Sequence, residues 1–442
     1  MNISVNLSRA VFLAAGLSSA PFISAIAQVQ PQKTGSVIFF HPDGTGLNHW
    51  NALRAVEVGP DGELHWDRLP AMAVYKGHMS DALTGTSHGG ATVHAYGVKV
   101  QADSFGMDGS KSIKAASGKY MSILHEAKAA GKAIGLVQTG HIAEPGTAAF
   151  AASVQSRRAT CEIAKQVIGS GADVILAGGE KFLLPIGVAG RHGKGACVDN
   201  LIEAASRSGY TVVYNRDELA ALAAKNFEGV GKLLGAFAHD NTYNDQPEEK
   251  NRAEGLSHYD ANAPTVKEMS AAALAILSRS QNGFLLITEE EGTDNMANEN
   301  NAPGQLEALR RADEAVGLFH GYVKENPDTL LLMAADSEAG GMTTISYYHL
   351  SPTEALPEKD PNGAPYDGND GAGTKPFSSA PDSTGRRLPF GIAWATKYDT
   401  SGAILVRGAG LNSDLIRGTM DSTEMYRLMY LTLFGIDVRP AK

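Results

Sequence analysis

The 442-residue chain has no excess of basic residues and, beyond its N-terminus, no long apolar run. Lysine and arginine number 38 against 48 acids, and the resulting net charge of −10 without any basic stretch argues against a nucleic acid as partner. No later segment has 18 consecutive apolar residues, so we expect no membrane span in the mature chain. The 43% hydrophobic and 19% charged residues are ordinary for a globular protein.

The N-terminal apolar stretch has the features of a cleavable export signal. One basic residue, Arg9, precedes a run of small apolar residues that ends in the A-x-A pattern of Ala25-Ile26-Ala27. Serine and proline residues interrupt this run, which makes a membrane anchor the less favoured interpretation. We therefore predict a signal peptide over residues 1–27 and a periplasmic or extracellular location.

Cysteine is equally scarce, since the chain contains only Cys161 and Cys197. In an exported protein two cysteines most often form one disulfide, and two buried free thiols are the alternative. We predict the disulfide.

Short apolar runs alternate with amphipathic helical patterns along the rest of the chain. The runs are typical of buried parallel strands and lie at residues 36–40, 133–137, 173–179, 283–288, 329–335 and 403–406. The helical patterns lie at 120–131, 265–281, 304–326 and 422–435. This alternation predicts an α/β fold, a central mostly parallel sheet sandwiched by helices, as one domain over residues 28–442. The Pro- and Gly-rich stretch 351–388 is predicted to be an irregular insertion, either a crown or lid loop or a mobile surface excursion.

Acidic side chains follow three of the apolar runs at the point where each run ends. Asp43 follows the first run, the acids of residues 289–294 follow the fourth, and Asp336 and Glu338 follow the fifth. Open α/β sheets build their ligand sites at the carboxyl ends of the strands. Carboxylates that converge there repel each other and need cations, so the pattern predicts a polynuclear metal site. For any one strand, an acid that caps the following helix or loop explains the pattern as well.

A hydroxyl-rich segment at residues 80–100 carries Thr84, Thr86, Ser87 and Thr92 among glycines and alanines. Serine and threonine are weak nucleophiles unless activated, and coordination to a metal is one means of activation. A hydroxyl at a helix N-terminus would also have backbone N–H groups beside an incoming anion. Taken alone, the segment is better explained as a helix start with small packing residues.

These motifs together resemble those of the alkaline phosphatase family from about residue 35 to the C-terminus. "PDGTG" is similar to the family's GDGMG, "TSHGGATVHAYGVKV" to DSAASATAxxTGVKT, and "HIAEPGTAAFAASVQSRR" to xxHATPAAFxAHxxSR. "EEEGTD" is similar to EGGRID, "ADSEAGGMTTIS" to ADHETGGMTL, and "AGGEKFLLP" to GGGxxYFLP. The resemblance implies that Asp43 bridges two metals, Ser87 is the nucleophile and Arg157 binds phosphate. The shared spacing to Gly97-Val98-Lys99 selects Ser87 over the neighbouring hydroxyls.

The chain departs from the family where zinc ligands are expected, because no histidine lies between residues 258 and 320 or after His349. By the same alignment, the three usual histidine positions hold Asn298, Ser337 and Asp399. The threonine ligand of the third-metal site falls on Gly146, and the acid before the nucleophile is replaced by Thr86.

The ligand set that the resemblance implies therefore consists of oxygen donors. Its members are Asp43, Glu289, Asp294, Asn298, Asp336, Ser337 and Asp399, with Thr86, Glu144, Thr147 and Glu338 as additional candidates. Imidazole suits Zn²⁺, whereas oxygen ligands suit Mg²⁺, Ca²⁺ or Mn²⁺, so we expect two to three hard divalent cations in preference to Zn²⁺. His41, His49, His88 and His94 are left outside this set, because a lone histidine is more often a hydrogen-bonded core residue.

The function that the resemblance implies is a secreted, metal-dependent phosphatase. Such an enzyme would hydrolyse phosphate monoesters through a covalent phosphoserine on Ser87 and release inorganic phosphate. The alternatives are a phosphodiesterase on the same scaffold and a non-catalytic phosphate- or metal-binding relative. A sulfatase is disfavoured by Arg157 and by the absence of a C-x-P/A-x-R motif. A homodimer is expected by analogy with the family.

Overall fold

A ten-stranded sheet forms the centre of the computed structural model, which describes residues 33–438. Its strand order is β19-β2-β18-β10-β1-β9-β5-β6-β8-β7. The strands are β1 (Ser36–Pro42), β2 (Ala71–Lys76), β3 (Met107–Asp108), β4 (Lys111–Ser112), β5 (Ala133–His141), β6 (Val174–Gly178), β7 (Tyr210–Val213), β8 (Lys232–Ala236), β9 (Phe284–Glu290), β10 (Thr329–Met333), β11 (Glu338–Ala339), β12 (Thr343–Ile345), β13 (Tyr366–Gly368), β14 (Gly371–Ala372), β15 (Phe377–Ser378), β16 (Pro389–Ala393), β17 (Asp399–Thr400), β18 (Leu405–Gly410) and β19 (Thr419–Asp421).

Helices cover the sheet. They are α1 (Leu47–Glu57), α2 (Ser87–Tyr96), α3 (Ile123–Ala129), α4 (Pro145–Ala148), α5 (Thr160–Gly169), α6 (Leu201–Arg207), α7 (Arg216–Ala223), α8 (Glu248–Glu254), α9 (Val266–Leu277), α10 (Gly292–Asn298), α11 (Ala302–Glu325) and α12 (Thr423–Phe434). Short 3₁₀ turns occur at Glu180–Phe182 and Ser413–Leu415. All four predicted helical patterns correspond to helices, namely α3, α9, α11 and α12.

The central strands are buried on both faces, as strands of a parallel sheet between helices must be. In β1, Val37 and Phe39 belong to one hydrophobic cluster, and Ile38 and Phe40 belong to a second. Alternate side chains of a strand point to opposite faces, so these two clusters are the two layers of the core. The predicted α/β fold with a mostly parallel sheet between helices is therefore confirmed.

One of the six apolar runs predicted to form parallel strands forms an antiparallel strand. The apolar run at 403–406 enters β18, which pairs antiparallel with both β10 and β2. After β10 the chain forms the short strands β11 to β17, which lie outside the central sheet, and it then returns to that sheet as β18. A strand that returns in this way runs opposite to the strand that the chain has just left. The other five apolar runs lie in mutually parallel strands.

The insertion at 351–388 contains ordered structure. Its strands β13, β14 and β15 join β12 and β16 in a five-stranded sheet. Trp394, just after β16, is buried and donates from Nε1 to Asp367 Oδ2 at 2.6 Å, which ties the insertion to the main body.

Cys161 and Cys197 form the predicted disulfide, with their Cα atoms 5.6 Å apart. Within residues 33–438, no helix is both long and apolar enough to cross a bilayer. The predicted signal peptide lies outside the described residues, and the described residues from Lys33 onwards form one compact unit.

Candidate active site

Three adjacent strands at the centre of the sheet bring acids to one edge. Strand β1 lies between β10 and β9 and is parallel to both. Asp43 follows β1, Glu289 lies near the end of β9, and Asp336 lies three residues beyond β10. All three side chains are fully or almost fully buried. The ends of these strands therefore form a pocket of negative charge.

The first potential metal-binding group combines His41, Asp43 and Asp336, each of which offers a ligand atom within 4.8 Å of the others. His41 Nε2 lies 3.2 Å from Asp43 Oδ1 and 3.8 Å from Asp336 Oδ1. His41 Nδ1 donates to the carbonyl oxygen of Ala334 at 2.8 Å. Histidine ligands of metals generally donate their other ring N–H in this manner, which leaves Nε2 as the atom that faces the carboxylates.

His41 is a residue that the sequence interpretation left outside the ligand set. The spacing offered a signal, because His41 and Asp43 are two positions apart at the end of β1. Alternate residues of an extended chain point to the same side. His41 therefore adds a potential nitrogen donor to the predicted set of oxygen ligands.

The second group consists of Asp43, Glu291 and Asp294, whose ligand atoms also lie within 4.8 Å of one another. Asp294 lies on α10, and Glu291 is the residue before this helix. Glu291 was not among the predicted ligands, although it lies two residues after Glu289 in the same acidic run. Asp43 belongs to both groups, so it is the residue able to bridge two cations.

The electrostatics of the two groups favour bound cations. Among the described residues, Asp43 Oδ2, Asp294 Oδ1, Asp336 Oδ2 and Glu291 Oε2 are buried without a hydrogen-bond partner. Burial, together with the charge of Asp43, raises the pKa of Asp336 well above its usual range. Burial and neighbouring carboxylates, including Asp399 for Asp294 and Glu289 for Glu291, do the same for these two groups. Cations would supply the missing partners and offset the repulsion, so the residues fit a metal centre.

Asp43 behaves differently from its neighbours. Burial acts to raise its pKa, but the charge and hydrogen bond of the adjacent His41, together with the nearby Asp336 and Ser87 side chains, lower it. Asp43 therefore stays ionised, as a bridging ligand must.

Ser87 is the first residue of α2 and is only 6% exposed. Its hydroxyl lies close enough to Asp43 to favour the charged form of that carboxylate. A helix N-terminus also favours an anion through its dipole and its N–H groups. The hydroxyl is therefore beside both the acids and a position suited to a phosphate.

The other hydroxyls of this segment are already engaged. Thr86 is the N-cap of α2: its Oγ1 accepts from Gly89 N at 3.1 Å and donates to Ala102 O at 2.6 Å. Thr92 donates to the carbonyl oxygen of His88 at 2.7 Å. Thr84 Oγ1 is hydrogen-bonded to Ser401 Oγ at 2.8 Å. These contacts leave Ser87 as the hydroxyl of the segment that faces Asp43.

Arg157 is the cation of the pocket. It lies in the turn before α5, and its NH2 atom donates to Glu144 Oε2 at 3.3 Å. The Arg157 side chain is 43% exposed, so it is accessible to a ligand. Burial acts to lower the pKa of Arg157, but Glu144, Glu291, Asp294 and Asp43 raise it. Glu144 Oε1 also lies 2.9 Å from His141 Nε2. Glu144 therefore bridges His141 and Arg157 and belongs to neither acidic group.

Several of the remaining predicted ligands lie beside the two groups. Asn298 Nδ2 donates to Asp294 Oδ2 at 3.0 Å and to Asp399 Oδ1 at 3.2 Å, which places Asn298 and Asp399 at the rim of the second group. Ser337 Oγ lies 3.4 Å from Asp336 Oδ1. Glu338 is directed towards His49, with Glu338 Oε1 and His49 Nδ1 4.0 Å apart.

The residues predicted for a third metal site include Glu289 and Thr147, and Gly146 is in the position of the family's threonine. Both carboxylate oxygens of Glu289 are buried, and they lack a hydrogen-bond partner in the described part of the chain. A side chain on Gly146 would overlap this carboxylate, so the space of the family's threonine is filled by Glu289. Thr147 Oγ1 instead accepts from Gln138 Nε2 at 2.7 Å.

Comparison with known proteins gives a consistent result. Residues 35–433 match the profile of the alkaline phosphatase family. The chain is 28% identical to the alkaline phosphatase of Escherichia coli (strain K12) over 366 residues, which are 74% of each chain. It is 27% identical to alkaline phosphatase 4 of Bacillus subtilis (strain 168) over 349 residues, which are 76% of this chain and 68% of the relative.

Solved structures show the same fold. The alkaline phosphatase of the Antarctic bacterium TAB5 superposes with a TM-score of 0.67 at 19% identity, covering 91% of this chain and 99% of that chain. A mutant of the TAB5 enzyme with Mg bound in the M3 site gives a TM-score of 0.68 at 19% identity and the same coverage.

Proposed function

This chain belongs to the alkaline phosphatase family, and we propose that it hydrolyses phosphate monoesters through a covalent phosphoserine on Ser87. The family and the fold support a phosphatase. The observation that carries the finer proposal is the position of Ser87 at the start of α2, whose first turn packs against Asp336: a Cβ on Gly90 would lie 2.4 Å from Asp336 Cβ. A hydroxyl in this position lies next to the residues that would hold the activating cations and at a helix N-terminus, which favours an anion.

The residues that would hold cations are those of the two groups, with Asp43 as the bridge. When bound, divalent cations lower the pKa of a coordinated hydroxyl or water and offset the charge of the phosphate and of the leaving oxygen. Four of the five donors are carboxylates and one is the imidazole of His41, so we retain Mg²⁺, Mn²⁺ or Ca²⁺ as the preferred ions over Zn²⁺.

The side chains of this protein have separate tasks in the reaction. Ser87 Oγ attacks phosphorus and gives up its proton. The bond between phosphorus and the ester oxygen breaks, and the alcohol leaves with that oxygen and a proton. Arg157 binds two non-bridging phosphate oxygens with its planar guanidinium, as a monoester dianion requires. Glu144, hydrogen-bonded to Arg157, fixes the orientation of that guanidinium. Water then cleaves the Ser87 Oγ–phosphorus bond and releases inorganic phosphate.

Metal-stripped protein tests this proposal. The mature chain is treated with a chelator and assayed on p-nitrophenyl phosphate and bis(p-nitrophenyl) phosphate, with Mg²⁺, Mn²⁺, Ca²⁺ and Zn²⁺ added separately. We expect recovery on the monoester with a hard cation. Recovery with Zn²⁺ alone would contradict the metal preference, and faster turnover of the diester would favour the phosphodiesterase.

The covalent intermediate needs its own measurement. Acid quenching after brief incubation with ³²P-labelled phosphate monoester should leave label on the peptide that contains Ser87. Turnover without any labelled serine, measured at several quench times, would contradict the phosphoserine route. A folded, metal-loaded protein that binds one phosphate per chain without turnover would be the non-catalytic relative.

We also propose that the mature protein acts in the periplasm or outside the cell, and the Cys161–Cys197 disulfide supports this because disulfides persist in oxidising compartments. Expression of the full chain followed by N-terminal sequencing should give Gln28 as the first residue. Protein retained in the cytosol with Met1 intact would contradict the proposal.

The homodimer rests on analogy with the family, and light scattering should give twice the mass of one chain.

A further inference from the structure

A second set of buried, unpartnered oxygens lies where α8 meets the insertion. Glu248, the first residue of α8, is 4% exposed, and Asp367, on β13, is 1% exposed. Within residues 33–438, neither Glu248 oxygen has a hydrogen-bond partner, and Asp367 Oδ1 also has none. Neither residue belongs to the two groups around Asp43.

The contacts around these residues bring the two carboxylates to one place. Asp367 is paired with Ala372 in the β13–β14 ladder, and Ala372 N donates to Oε1 of Glu249, the next residue after Glu248. A Cβ on Gly371, in the same hairpin, would lie 2.9 Å from Glu248 Oε1. Gly371 has a φ of +106°, so glycine is needed both for this backbone conformation and for the close approach of α8.

The charge of this pair is uncompensated. Burial and the charge of Asp367 raise the pKa of Glu248 to about 8, and burial raises the pKa of Asp367 to about 7. Arg252 is the nearby cation, but its guanidinium donates to the carbonyl oxygen of Asp370 and only weakly offsets Glu248. Two buried carboxylates with unpartnered oxygens are costly unless a cation or a shared proton joins them.

A neutral oxygen in the same region is also unpartnered and points to a ligand rather than to a proton. Asn251 lies one turn after Glu248 on α8 and is 1% exposed. Its amide nitrogen donates to Asn244 O at 2.8 Å, which fixes the amide, and its Oδ1 has no partner in the described chain. Residues three apart on a helix share a face, so Asn251 Oδ1 and the Glu248 carboxylate lie on the same side of α8.

We propose that Glu248 and Asp367 bind a calcium ion, with the Asn251 amide oxygen as a neutral ligand. Calcium accepts six to eight oxygen ligands in flexible geometry, including bidentate carboxylates, amide oxygens and water. Both Glu248 oxygens are available for bidentate binding, and Asp367 and Asn251 supply one oxygen each. Such an ion joins α8 to the insertion, and the hydrogen bond from Trp394 to Asp367 Oδ2 continues the connection into the main body.

Calcium stoichiometry tests the site independently of catalysis. Metal-stripped mature protein is dialysed against ⁴⁵Ca²⁺, and wild type is compared with Glu248→Gln and Asp367→Asn, which remove charge but preserve size. The matched control is Asp370→Asn, an exposed acid of the same hairpin. We expect each test variant to bind one calcium fewer per chain, or to bind it at least 100-fold more weakly, while the control matches wild type and all four proteins keep their phosphatase activity.

Thermal unfolding distinguishes a cation from a purely structural role. Calcium should raise the Tm of wild type and of the control more than that of either test variant. In chelator the test variants should be at least as stable as wild type, because one buried charge has been removed. Equal calcium binding by all four proteins would mean that the carboxylates share a proton and would overturn the proposal. Lower Tm values of the test variants in chelator would also overturn it, since the carboxylates would then stabilise the fold without calcium.

Discussion

Replacing His41 with glutamine is the sharpest test of the metal centre. His41 Nε2 faces Asp43 at 3.2 Å, while Nδ1 donates to Ala334 at 2.8 Å, so one ring nitrogen is oriented by the backbone and the other is directed at the metal position. Glutamine keeps a polar side chain with an amide oxygen but removes the nitrogen donor. The substitution therefore changes the chemistry of one ligand in the group of His41, Asp43 and Asp336.

The expected effect depends on the ion. Loss of a residue that merely orients a ligand costs 10- to 100-fold in metal affinity, so loss of the nitrogen ligand should weaken Co²⁺ and Zn²⁺ binding by about 100-fold or more, roughly 2.7 kcal/mol. Mg²⁺ prefers oxygen donors, and its affinity should change by less than about tenfold. The visible spectrum of the Co²⁺-loaded protein should also change, since it reports the loss of a nitrogen ligand.

His49→Gln is the matched control. His49 is equally buried, accepts from Gly46 N at 3.1 Å and belongs to neither metal-binding group. Competition with a chelating dye measures the affinities of both variants for each ion. If His41→Gln and His49→Gln lose Zn²⁺ and Co²⁺ affinity to the same extent, or if neither loses any, then His41 is a core residue and our reasoning about its orientation is wrong.

Three further predictions concern the other residues of the site and the fold. Arg157→Ala should lower kcat/KM for a monoester by about 10²- to 10³-fold, as expected for loss of a donor to the phosphate, and should affect a diester less. Arg158→Ala should leave kcat/KM for both substrates unchanged. Equal losses in the two variants would exclude the phosphate-binding role of Arg157. Ser87→Ala should abolish turnover and ³²P labelling with little change in Tm. Thr86→Ala should keep the labelled site but lower the free energy of unfolding by about 1 kcal/mol, because it removes the N-cap. Labelled protein in the Ser87 variant would show that another residue is the nucleophile. Reduction of Cys161–Cys197, which are separated by 36 residues, should lower the unfolding free energy by about 4 kcal/mol in urea titrations, and an unchanged midpoint would contradict this.

The fold was predictable because its central strands are continuous apolar runs with helical patterns between them. The runs now seen as β1, β5, β6, β9 and β10 needed no tertiary information, since strands buried on both faces have no polar positions to obscure them. Strand β2, next to the edge strand β19, was missed because its side chains alternate between buried and exposed, and Met72 and Val74 face outwards. The direction of β18 depends on the path of the chain through the preceding short strands, which no local pattern encodes.

The site was predictable to the level of which strand ends meet, but not to the level of individual donors. Asp43, Asp294 and Asp336 were expected from the motifs and lie in the two groups. His41 and Glu291 were not expected, because the resemblance assigned no ligand to either position, and only their spacing of two from Asp43 and from Glu289 pointed to them. Glu338 was an additional candidate ligand, and its Oε1 lies 4.0 Å from His49 Nδ1, outside both groups.

The helix that carries Ser87 has a consequence for thermal inactivation. Every residue of α2 is buried, Thr86 caps its first turn, and Gly97 at its end adopts a φ of +71° against the ring of Tyr426 on α12. A segment with so little solvent contact has no low-energy route to open by itself, unlike a surface loop. Heating should therefore abolish catalysis and near-ultraviolet circular dichroism over the same temperature range, without an earlier phase in which a folded protein has lost its nucleophile.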